Sequence, residues 1–540
     1  MTDVKRVFMV NGKPFYSVGG QSRNSSGYND SESETAFKAI KLLHGNTLEI
    51  PVYWEQVEPE EGKFDFTSVD ALLASARRYG VKLILLWFAT WKNGNMDYAP
   101  EWVKTNPQRF KRVISPSGND LWVLSSHCPA NFEADKKAFT ALCNHLKAKD
   151  STERTVIALQ IENEPGIIGS DRDYGTEAQA AFDSLVPTEL VTAMKAAGTG
   201  QVYDLWQQAG SKASGTWPEL FGWAAGELMS AWSIATYIDG VAEAGQASYD
   251  IPMYINVWLG AGRLPGEGYP SGGAVSKVLD IYKWFTPHVG LIAPDIYIQD
   301  SRNYESVCAS YARDDNPLFV PESAPGSGNT WNMFRAIANY NAIGYHFFAV
   351  EHIVAEDGSV RPECQMIVDS VRCVAAAIPL LLKYQGTGKI HAIIQEELML
   401  TQLLDLDGYL GLVLFGEGPP SYMGNKDWRH ATQPIWLVEQ QLGNNRGRGL
   451  VIQVSRNEFY VIGANYRLLL RPKLPPDKMR ASSFVSDRML SMLAHHLRVD
   501  EGHFDQNDEF VVDRRRSGDE ITAGVWVEAD TGVVRVIMCD

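Results

Sequence analysis

Two glutamates that end separate apolar runs are the residues of this 540-residue sequence best placed to do chemistry. Glu164 ends the run that begins at Val156, and Glu322 ends the run that begins at Pro317. Two carboxyl groups beside a glycosidic bond can cleave it, because one protonates the departing oxygen while the other stabilises the positive anomeric carbon. A separation of about 5–5.5 Å favours retention of configuration, and about 6.5–9.5 Å favours inversion. The pair therefore predicts glycosidic bond cleavage, whereas a lone strand-end glutamate is more often a surface or ion-paired residue.

The elements that must position these glutamates alternate between apolar strands and amphipathic helices. We predict eight strands, over residues 16–20, 46–53, 82–88, 156–162, 252–259, 291–298, 317–322 and 343–350. Helical patterns lie between several of them, at residues 33–43, 68–79 and 131–147. Near-continuous apolar strands alternating with helices predict an α/β fold, a (β/α)8 TIM barrel, with a doubly wound sheet as the alternative. In the barrel, the ends of strands four and seven face each other across one mouth, which would bring Glu164 and Glu322 together.

Three further segments complete the organisation of the chain. Asn11-Gly12 separates two short β-rich runs and predicts an N-terminal hairpin. The long connection from residue 165 to about residue 250 is rich in Trp and Gly, and it predicts extra helices over the barrel mouth. Short alternating strands past residue 384 predict a C-terminal antiparallel β-sandwich. We therefore place a catalytic barrel at residues 1–384 and the sandwich at residues 385–540.

Composition and charge narrow the classes of partner. A hydrophobic share of 45% with 21% charged residues excludes a disordered or coiled-coil chain, and 49 basic against 65 acidic residues give a net charge of −16. This charge disfavours binding to nucleic acid or to an anionic membrane. The six cysteines form no CxxC pair, so we expect buried thiols rather than disulfides or a zinc cluster. The N-terminal segment lacks the apolar run of a signal peptide, so we expect a cytoplasmic protein.

Two motifs carry a resemblance to known glycosidases. The pentapeptide at residues 160–164, Gln-Ile-Glu-Asn-Glu, resembles the acid/base signature of the family 35 β-galactosidases. The stretch from Trp54 to Phe66, with its Glu-Pro and Gly, is similar to a block shared with family 42. Both families belong to a clan of retaining glycosidases, and the resemblance spans residues 8 to about 360. Pro165, where family 35 usually has an aromatic residue, indicates a divergent branch.

The resemblance implies a role for each residue of the central pair. Glu164 would be the acid/base, Glu322 the nucleophile, and Asn163 the donor to the sugar 2-hydroxyl in the transition state. Burial and the nearby Glu322 anion should raise the pKa of Glu164. Glu162 precedes Glu164 by two residues, so alternation along a strand predicts that both face the same side. We choose Glu164 as the acid because it follows the Asn at the strand's end.

Other candidates follow the remaining strands. Tyr297 is placed to donate a hydrogen bond to Glu322 and keep it ionised, with interfacial packing as the alternative. Seven residues in all are predicted to contact the sugar besides Asn163, and they are Tyr297, Gln21, Tyr53, Glu55, Trp91, Trp258 and Trp331. Core packing is an equal alternative for the three tryptophans, and a local ion pair for Glu55. His346 and His352 near Glu351 match no metal-ligand motif, so no metal and no cofactor are expected.

These observations predict a retaining, exo-acting β-glycosidase, with a β-galactoside or oligosaccharide as its substrate. A β-glucosidase, a β-arabinopyranosidase or an endo-glycanase is the alternative within the fold. A catalytically inactive sugar-binding barrel is the alternative outside enzymes. The sequence leaves homo-oligomerisation open, and it assigns the C-terminal sandwich to carbohydrate binding, self-association or support of the barrel.

Overall fold

The computed structural model describes residues 7–260, 262–396, 399–415, 446–473, 495–522 and 524–539. These residues form a parallel β/α barrel followed by two antiparallel sheets, so the predicted fold class is confirmed. In chain order the strands of the first part are β1 (Phe8–Val10), β2 (Lys13–Phe15), β3 (Ser17–Gln21), β4 (Thr47–Tyr53), β5 (Lys82–Lys92), β6 (Arg112–Ile114), β7 (Asp120–Leu124), β8 (Val156–Asn163), β9 (Met253–Val257), β10 (Leu291–Pro294) and β11 (Gly344–Phe347).

Seven of the eight predicted strands form one parallel sheet, in the order β10-β9-β8-β5-β4-β3-β11. The predicted seventh strand, residues 317–322, is not a regular strand, but the segment makes isolated parallel bridges on both sides. The amide of Ile296 donates to the carbonyl of Glu322 at 2.8 Å, and the amide of His346 donates to the carbonyl of Val320 at 2.9 Å. This segment, residues 317–323, therefore closes the sheet between β10 and β11, and Glu322 lies on it.

Helices cover the outside of this sheet, and local signals set their ends. The first begins after Asn29, whose side chain accepts from the amide of Glu32, and the third ends at Gly80 with a φ of +64°. The helices are α1 (Asp30–Leu42), α2 (Trp54–Val57), α3 (Thr67–Tyr79), α4 (Glu101–Lys104), α5 (Pro129–Asp150), α6 (Thr176–Asp183), α7 (Thr188–Ala197), α8 (Gln201–Gln208), α9 (Trp217–Phe221), α10 (Ala225–Ser248), α11 (Leu279–Phe285), α12 (Ser301–Tyr311), α13 (Ser327–Asn339) and α14 (Gln365–Tyr384), with short 3-10 turns at Gly222–Ala224, Val350–Ile353 and Pro362–Cys364.

The predicted N-terminal hairpin is present, and the long connection after β8 contains helices, as predicted. β1 and β2 pair in antiparallel fashion through Asn11 and Gly12, which have positive φ values of 51° and 74°. The connection holds helices α6 to α10. It is tied to the connection after β9 by two hydrogen bonds between the backbones of Ile167 and Ser271, at 2.9 and 2.8 Å. The two connections therefore form one rim beside the ends of β8 and β9.

The C-terminal part is a β-sandwich of a six-stranded and a four-stranded antiparallel sheet, ordered β12-β15-β16-β21-β18-β19 and β13-β14-β17-β20. Apolar residues from both sheets form one buried cluster between them. The elements are β12 (Ile390–Ile394), β13 (Thr401–Leu406), β14 (Tyr409–Phe415), β15 (Arg448–Ser455), β16 (Glu458–Ala464), β17 (Tyr466–Pro472), β18 (His496–Phe504), β19 (Phe510–Arg516), a short helix α15 (Asp519–Thr522), β20 (Val525–Val527) and β21 (Val533–Met538).

The barrel and one face of the six-stranded sheet share an apolar cluster, separate from the cluster between the two sheets. Helices α13 and α14 pack on the six-stranded sheet, and Leu450 and Ile462 of that sheet belong to the same buried cluster as the barrel residues. The interval between α14 and β12, from Tyr384 to Ile390, contains the boundary that we predict. By length and composition the helix Pro362–Tyr384 is apolar enough to cross a membrane, but more than half of it is buried, as in a core helix. All six cysteines are free, and all but Cys539 are buried.

Candidate active site

The carboxyl groups of Glu164 and Glu322 meet at the mouth of the barrel, where the parallel strands end. One oxygen of each lies within 4.8 Å of the other. Only 7% of Glu164 and 5% of Glu322 is exposed. Glu164 follows β8 directly, and Glu322 lies on the closing segment between β10 and β11. The two residues therefore come together as the sequence predicts, closer than the roughly 6.5–9.5 Å that an inverting pair needs.

Glu322 has one carboxyl oxygen engaged and one without a partner. The hydroxyl of Tyr297 donates to Oε2 at 2.8 Å, which is the hydrogen bond that the sequence predicts. Oε1 is buried and has no hydrogen-bond partner among the described residues. Tyr297 is itself 42% exposed, so it lies at the open side of the site. The arrangement fixes one oxygen of Glu322 and leaves the other available to an incoming electrophilic carbon.

The backbone fixes the position of Glu164, and neighbouring groups shift the pKa of its carboxyl group. Its φ is +46°, in the left-handed region, and its amide donates to Oδ1 of Asn256 at 2.9 Å. Burial raises the pKa of Glu164, and the nearby Glu322 raises it further, while Lys92 and Asp295 lower it, with a resulting pKa of about 7. The predicted rise is confirmed. Glu164 is thus protonated below neutral pH, as a general acid must be.

Glu162 lies elsewhere, although alternation predicts that it shares a face with Glu164. That prediction is wrong, because Glu162 has a φ of +60° and Glu164 one of +46°, and two left-handed residues break the alternation. The Oε2 atom of Glu162 accepts from the amide of Trp91 at 2.7 Å. Burial raises the pKa of Glu162 well above its ordinary value, and Asp135 of α5 adds to the rise. Glu162 therefore belongs to the packing between the sheet and α5, while Glu164 belongs to the mouth.

Asn163 presents a free amide group beside Glu164. Lys92, the last residue of β5, donates from Nζ to Oδ1 of Asn163 at 2.7 Å. The Nδ2 atom of Asn163 is buried and has no partner among the described residues. Because an ammonium group only donates, the bond fixes which end of the amide faces away from Lys92. Asn163 is left with a hydrogen-bond donor for a bound molecule.

Asp295 places a third carboxyl group beside the pair. One of its oxygens lies within 4.8 Å of an oxygen of Glu164 and of Glu322. Burial raises the pKa of Asp295 well above its ordinary value, and the charges of Glu322 and Glu164 add to the rise. Among the described residues these three carboxyls are the group spaced to hold a cation. Cleavage of a glycosidic bond by two carboxyl groups needs none, and Lys92 already supplies a positive charge there.

The three predicted sugar contacts after strands one and two have different surroundings. Gln21 ends β3, and its buried Nε2 atom has no partner among the described residues, so it can donate to a hydroxyl group. The hydroxyl of Tyr53 is engaged, since it donates to the carbonyl of Asn24 at 2.6 Å and accepts from the amide of Gly27 at 3.1 Å. Glu55 pairs with Lys104 at 3.1 Å, which is the local ion pair that the sequence leaves open. Of the three, Gln21 has the free donor.

The three predicted tryptophans also have different surroundings. Trp258 directly follows β9 and is half-buried at the mouth. Trp91 is fully buried, packs edge-on against Tyr237, and has an Nε1 atom without a partner among the described residues. The prediction that Trp331 floors the sugar site is wrong. Trp331 lies within α13, on the face that packs against the C-terminal part, where it contacts Met366 in a separate buried cluster.

A buried polar network lies below Glu164 and Glu322. His346 of β11 contacts Glu49 of β4 through Nδ1 and Ser17 through Nε2, the latter at 2.9 Å, and the hydroxyl of Tyr254 donates to Oε2 of Glu49 at 2.6 Å. Both ring nitrogens of His346 are therefore engaged, and His352 is exposed. The two histidines do not form a metal site with Glu351, which instead binds the loop after β3.

Sequence reasoning missed four polar residues that shape this site. They are Glu49, Lys92, Asn256 and Asp295, and each is buried in or at the end of a barrel strand. The available signal is a polar residue inside an otherwise apolar run, because burying such a group requires a partner. That signal marks the residues but does not say which of them face the mouth.

A parallel β/α barrel with two facing carboxyl groups at its mouth is the arrangement of a glycoside hydrolase. Residues 26–211 match the family 42 glycoside hydrolase model, described as beta-galactosidase, and this range includes Glu164 but not Glu322. A beta-galactosidase of Xanthomonas manihotis is 29% identical over 185 residues, which cover 32% of this chain and 28% of that relative's length. Residues 370–528 match a second model, a domain of unknown function (DUF5597).

Solved β-galactosidases are among the structures that resemble the barrel. The enzyme of Bacillus circulans sp. alkalophilus has a TM-score of 0.48 at 13% identity, over 68% of this chain and 57% of that one. The cold-adapted enzyme of Rahnella sp. R3 has a TM-score of 0.49 at 14% identity, over 70% and 58% of the two chains. The chain thus spans somewhat more than half the length of these structures.

Proposed function

We propose that this protein is a retaining, exo-acting β-galactosidase. The observation that carries the proposal is the meeting of the Glu164 and Glu322 carboxyls within 4.8 Å at the barrel mouth. The match of residues 26–211 to a family described as beta-galactosidase supports the choice of sugar. The resemblance of residues 160–164 to the family 35 signature supports placing this chain in a divergent branch of the clan that contains families 35 and 42.

In this proposal Glu322 attacks the anomeric carbon with Oε1, the oxygen that has no hydrogen-bond partner in the described part of the chain. Tyr297 holds the other oxygen and stabilises the carboxylate before the attack. Glu164 gives its proton to the departing glycosidic oxygen, which completes the glycosyl-enzyme intermediate. The same carboxylate then takes a proton from water, which attacks the anomeric carbon and releases the sugar with its original configuration.

Asn163 grips the sugar 2-hydroxyl with its free Nδ2 atom in this proposal. Gln21 is the second free donor, and Trp258 offers a half-buried ring at the edge of the site. The connections after β8 and β9 are joined at Ile167 and Ser271 and form a rim on one side of the mouth, which favours release of a terminal sugar over binding along a polysaccharide. Assays with galactoside, glucoside, fucoside and arabinopyranoside substrates test the sugar, and product lengths from a galactan test exo action.

Removal of each carboxylate tests the two roles separately. We expect Glu322→Ala to lose activity by several orders of magnitude, with added azide restoring turnover and giving the α-galactosyl azide, because azide then displaces the aglycone directly. We expect Glu164→Ala with an activated aryl galactoside to give the β-galactosyl azide, because azide attacks the intermediate on Glu322. Products are identified by NMR. Unchanged activity of Glu322→Ala, or the same azide anomer from both variants, contradicts the assignment.

A further inference from the structure

Asp295 is a third buried carboxyl group in a site whose proposed chemistry needs two. It follows β10 and is 3% exposed. Its amide donates to the carbonyl of Val257 at 3.0 Å, which continues the pairing of β10 with β9 and fixes its place in the barrel wall. One of its oxygens lies within 4.8 Å of both Glu164 and Glu322. A group in this position must affect the proton that Glu164 carries.

The hydrogen bonds around Asn256 determine which oxygen of Asp295 can hold a proton. Oδ1 of Asn256 accepts from the amide of Glu164 at 2.9 Å, and this end must be the oxygen because a backbone amide only donates. The other end, Nδ2, donates to Oδ2 of Asp295 at 2.8 Å. Oδ2 is therefore an acceptor. Oδ1 of Asp295 is buried without a partner among the described residues, so it is the atom free to carry a hydrogen.

The charges that face Asp295 oppose its ionisation. The charges of Glu322 and Glu164 raise the pKa of Asp295, and Lys92 lowers it. Tyr297 and Tyr254 also face these carboxyls, and both phenols stay neutral because burial and the nearby carboxylates raise the pKa of each. Glu322 must be ionised to act as a nucleophile. A second anion less than 5 Å away in a buried site is strongly disfavoured, and among the described residues Lys92 is the cation that opposes this effect.

We propose that Asp295 is a positioning residue that stays protonated through the reaction and donates a hydrogen bond from Oδ1 to the carboxyl group of Glu164. The inference rests on the proposed function, since it concerns the acid/base of that reaction. The bond matters most in the glycosyl-enzyme intermediate, when Glu164 is a carboxylate. There it stabilises the charge and keeps the other oxygen of Glu164 directed at the attacking water.

Two variants at this position separate a neutral donor from a charge. Asp295→Asn keeps an oxygen for Asn256 and places an NH2 group toward Glu164, whereas Asp295→Ala removes the donor. Enzyme trapped with a 2-deoxy-2-fluoro galactoside is freed of excess reagent, and its reactivation by water is timed. We expect reactivation of Asp295→Asn within about threefold of wild type, and of Asp295→Ala slower by about 10- to 100-fold. Because only labelled sites are counted, unfolded protein does not affect the rate.

The pH profile of kcat/KM gives the second readout. A neutral donor lowers the pKa of Glu164, so its loss in Asp295→Ala should move the alkaline limb to higher pH, while Asp295→Asn leaves it in place. If Asp295 were an anion, Asp295→Asn would remove a negative charge and move the limb to lower pH. That shift, or wild-type reactivation by Asp295→Ala, overturns the inference. Failure of the wild-type protein to acquire the label on Glu322 instead overturns the proposed function.

Discussion

At the scale of single residues, Lys92 acts on both Asn163 and Glu164. Its ammonium group holds Oδ1 of Asn163 at 2.7 Å and lies 5.1 Å from the ring centroid of Phe88. It also lowers the pKa of Glu164, against the rise caused by burial and by Glu322. One buried cation thus orients the predicted donor to the sugar and adjusts the acidity of the predicted proton donor.

Lys92→Met tests both effects. We expect kcat/KM for an aryl galactoside to fall about 10- to 100-fold, because a charge-assisted hydrogen bond that orients Asn163 is lost. The alkaline limb of the profile should move to higher pH, because removing a cation raises the pKa of Glu164. The matched measurement uses the 2-deoxygalactoside, for which the loss should be much smaller. Equal losses on both substrates contradict an orienting role for Lys92.

The residues of the site differ in how far the sequence could predict them. Glu164 and Glu322 were predictable because each ends an apolar run at a position where barrel strands place chemistry. Asn256 and Asp295 interrupt or end such runs, but a polar residue in a buried strand has the same sequence appearance whether it faces the mouth or the helices. The left-handed backbone at Glu162 and Glu164 had no signal at all, since neither is a glycine.

At the scale of elements, the loop after β3 is held in place by groups at the end of β4 and in the turn after β11. Glu351, in the turn after β11, accepts from the amide of Arg23 with both oxygens at 3.1 and 3.2 Å and also binds the hydroxyl of Ser26. Tyr53 at the end of β4 binds the same loop through its hydroxyl. The loop starts directly after Gln21, so its position sets the position of that free donor.

Glu351→Ala should release this loop. We expect a stability loss of about 1–3 kcal/mol, because hydrogen bonds to a buried carboxylate are removed, and faster amide exchange of residues 22–28. KM should rise, since Gln21 loses its support, while the pH profile set by Glu164 stays in place. Thermal unfolding and hydrogen exchange measure the change. Glu356→Ala, at a nearby exposed position, is the control, and equal effects of the two variants contradict the anchoring role.

The strands were predictable as elements because a parallel sheet covered on both faces leaves near-continuous apolar runs. The closing segment was predicted in the right place, but its irregular pairing was not predicted. The pairing is irregular because the run up to Glu322 contains Pro317 and Pro321, and neither proline can donate to a neighbouring strand. The packing partner of α13 could not be predicted either, because the sequence pattern of a helix indicates an apolar face but not which element packs against it. Trp331 was misplaced for that reason.

At the scale of the whole molecule, the barrel and the sandwich act as one packing unit. Trp331 lies in a buried cluster with Met366, Ala392 and Ile394, and the guanidinium of Arg446 stacks 4.3 Å from its ring centroid. The cluster therefore joins two barrel helices to strand β12. Barrel helices α13 and α14 pack on the six-stranded sheet, mainly on β12, β15 and β16.

Trp331→Ala should destabilise the contact between the barrel and the sandwich without changing catalysis. We expect a loss of about 3–5 kcal/mol, from the cavity that a buried tryptophan leaves, and an unchanged KM. Trp258→Ala is the matched control, because that ring lies half-buried at the mouth. It should raise KM and leave the melting temperature nearly unchanged. The reverse pattern in thermal melts and steady-state kinetics would restore the sugar-binding role of Trp331.

The position of β21 has a consequence for how the chain is made. This strand, Val533–Met538, lies in the middle of the six-stranded sheet, between β16 and β18. Every other described strand of this sheet comes earlier in the sequence, so β16 and β18 lack their shared neighbour until residues 533–538 have left the ribosome. The sheet is therefore in two parts, β12-β15-β16 and β18-β19, while that stretch is still being synthesised. A premature stop codon before residue 533 would leave those two parts unjoined and deliver an incompletely folded chain to chaperones and proteases.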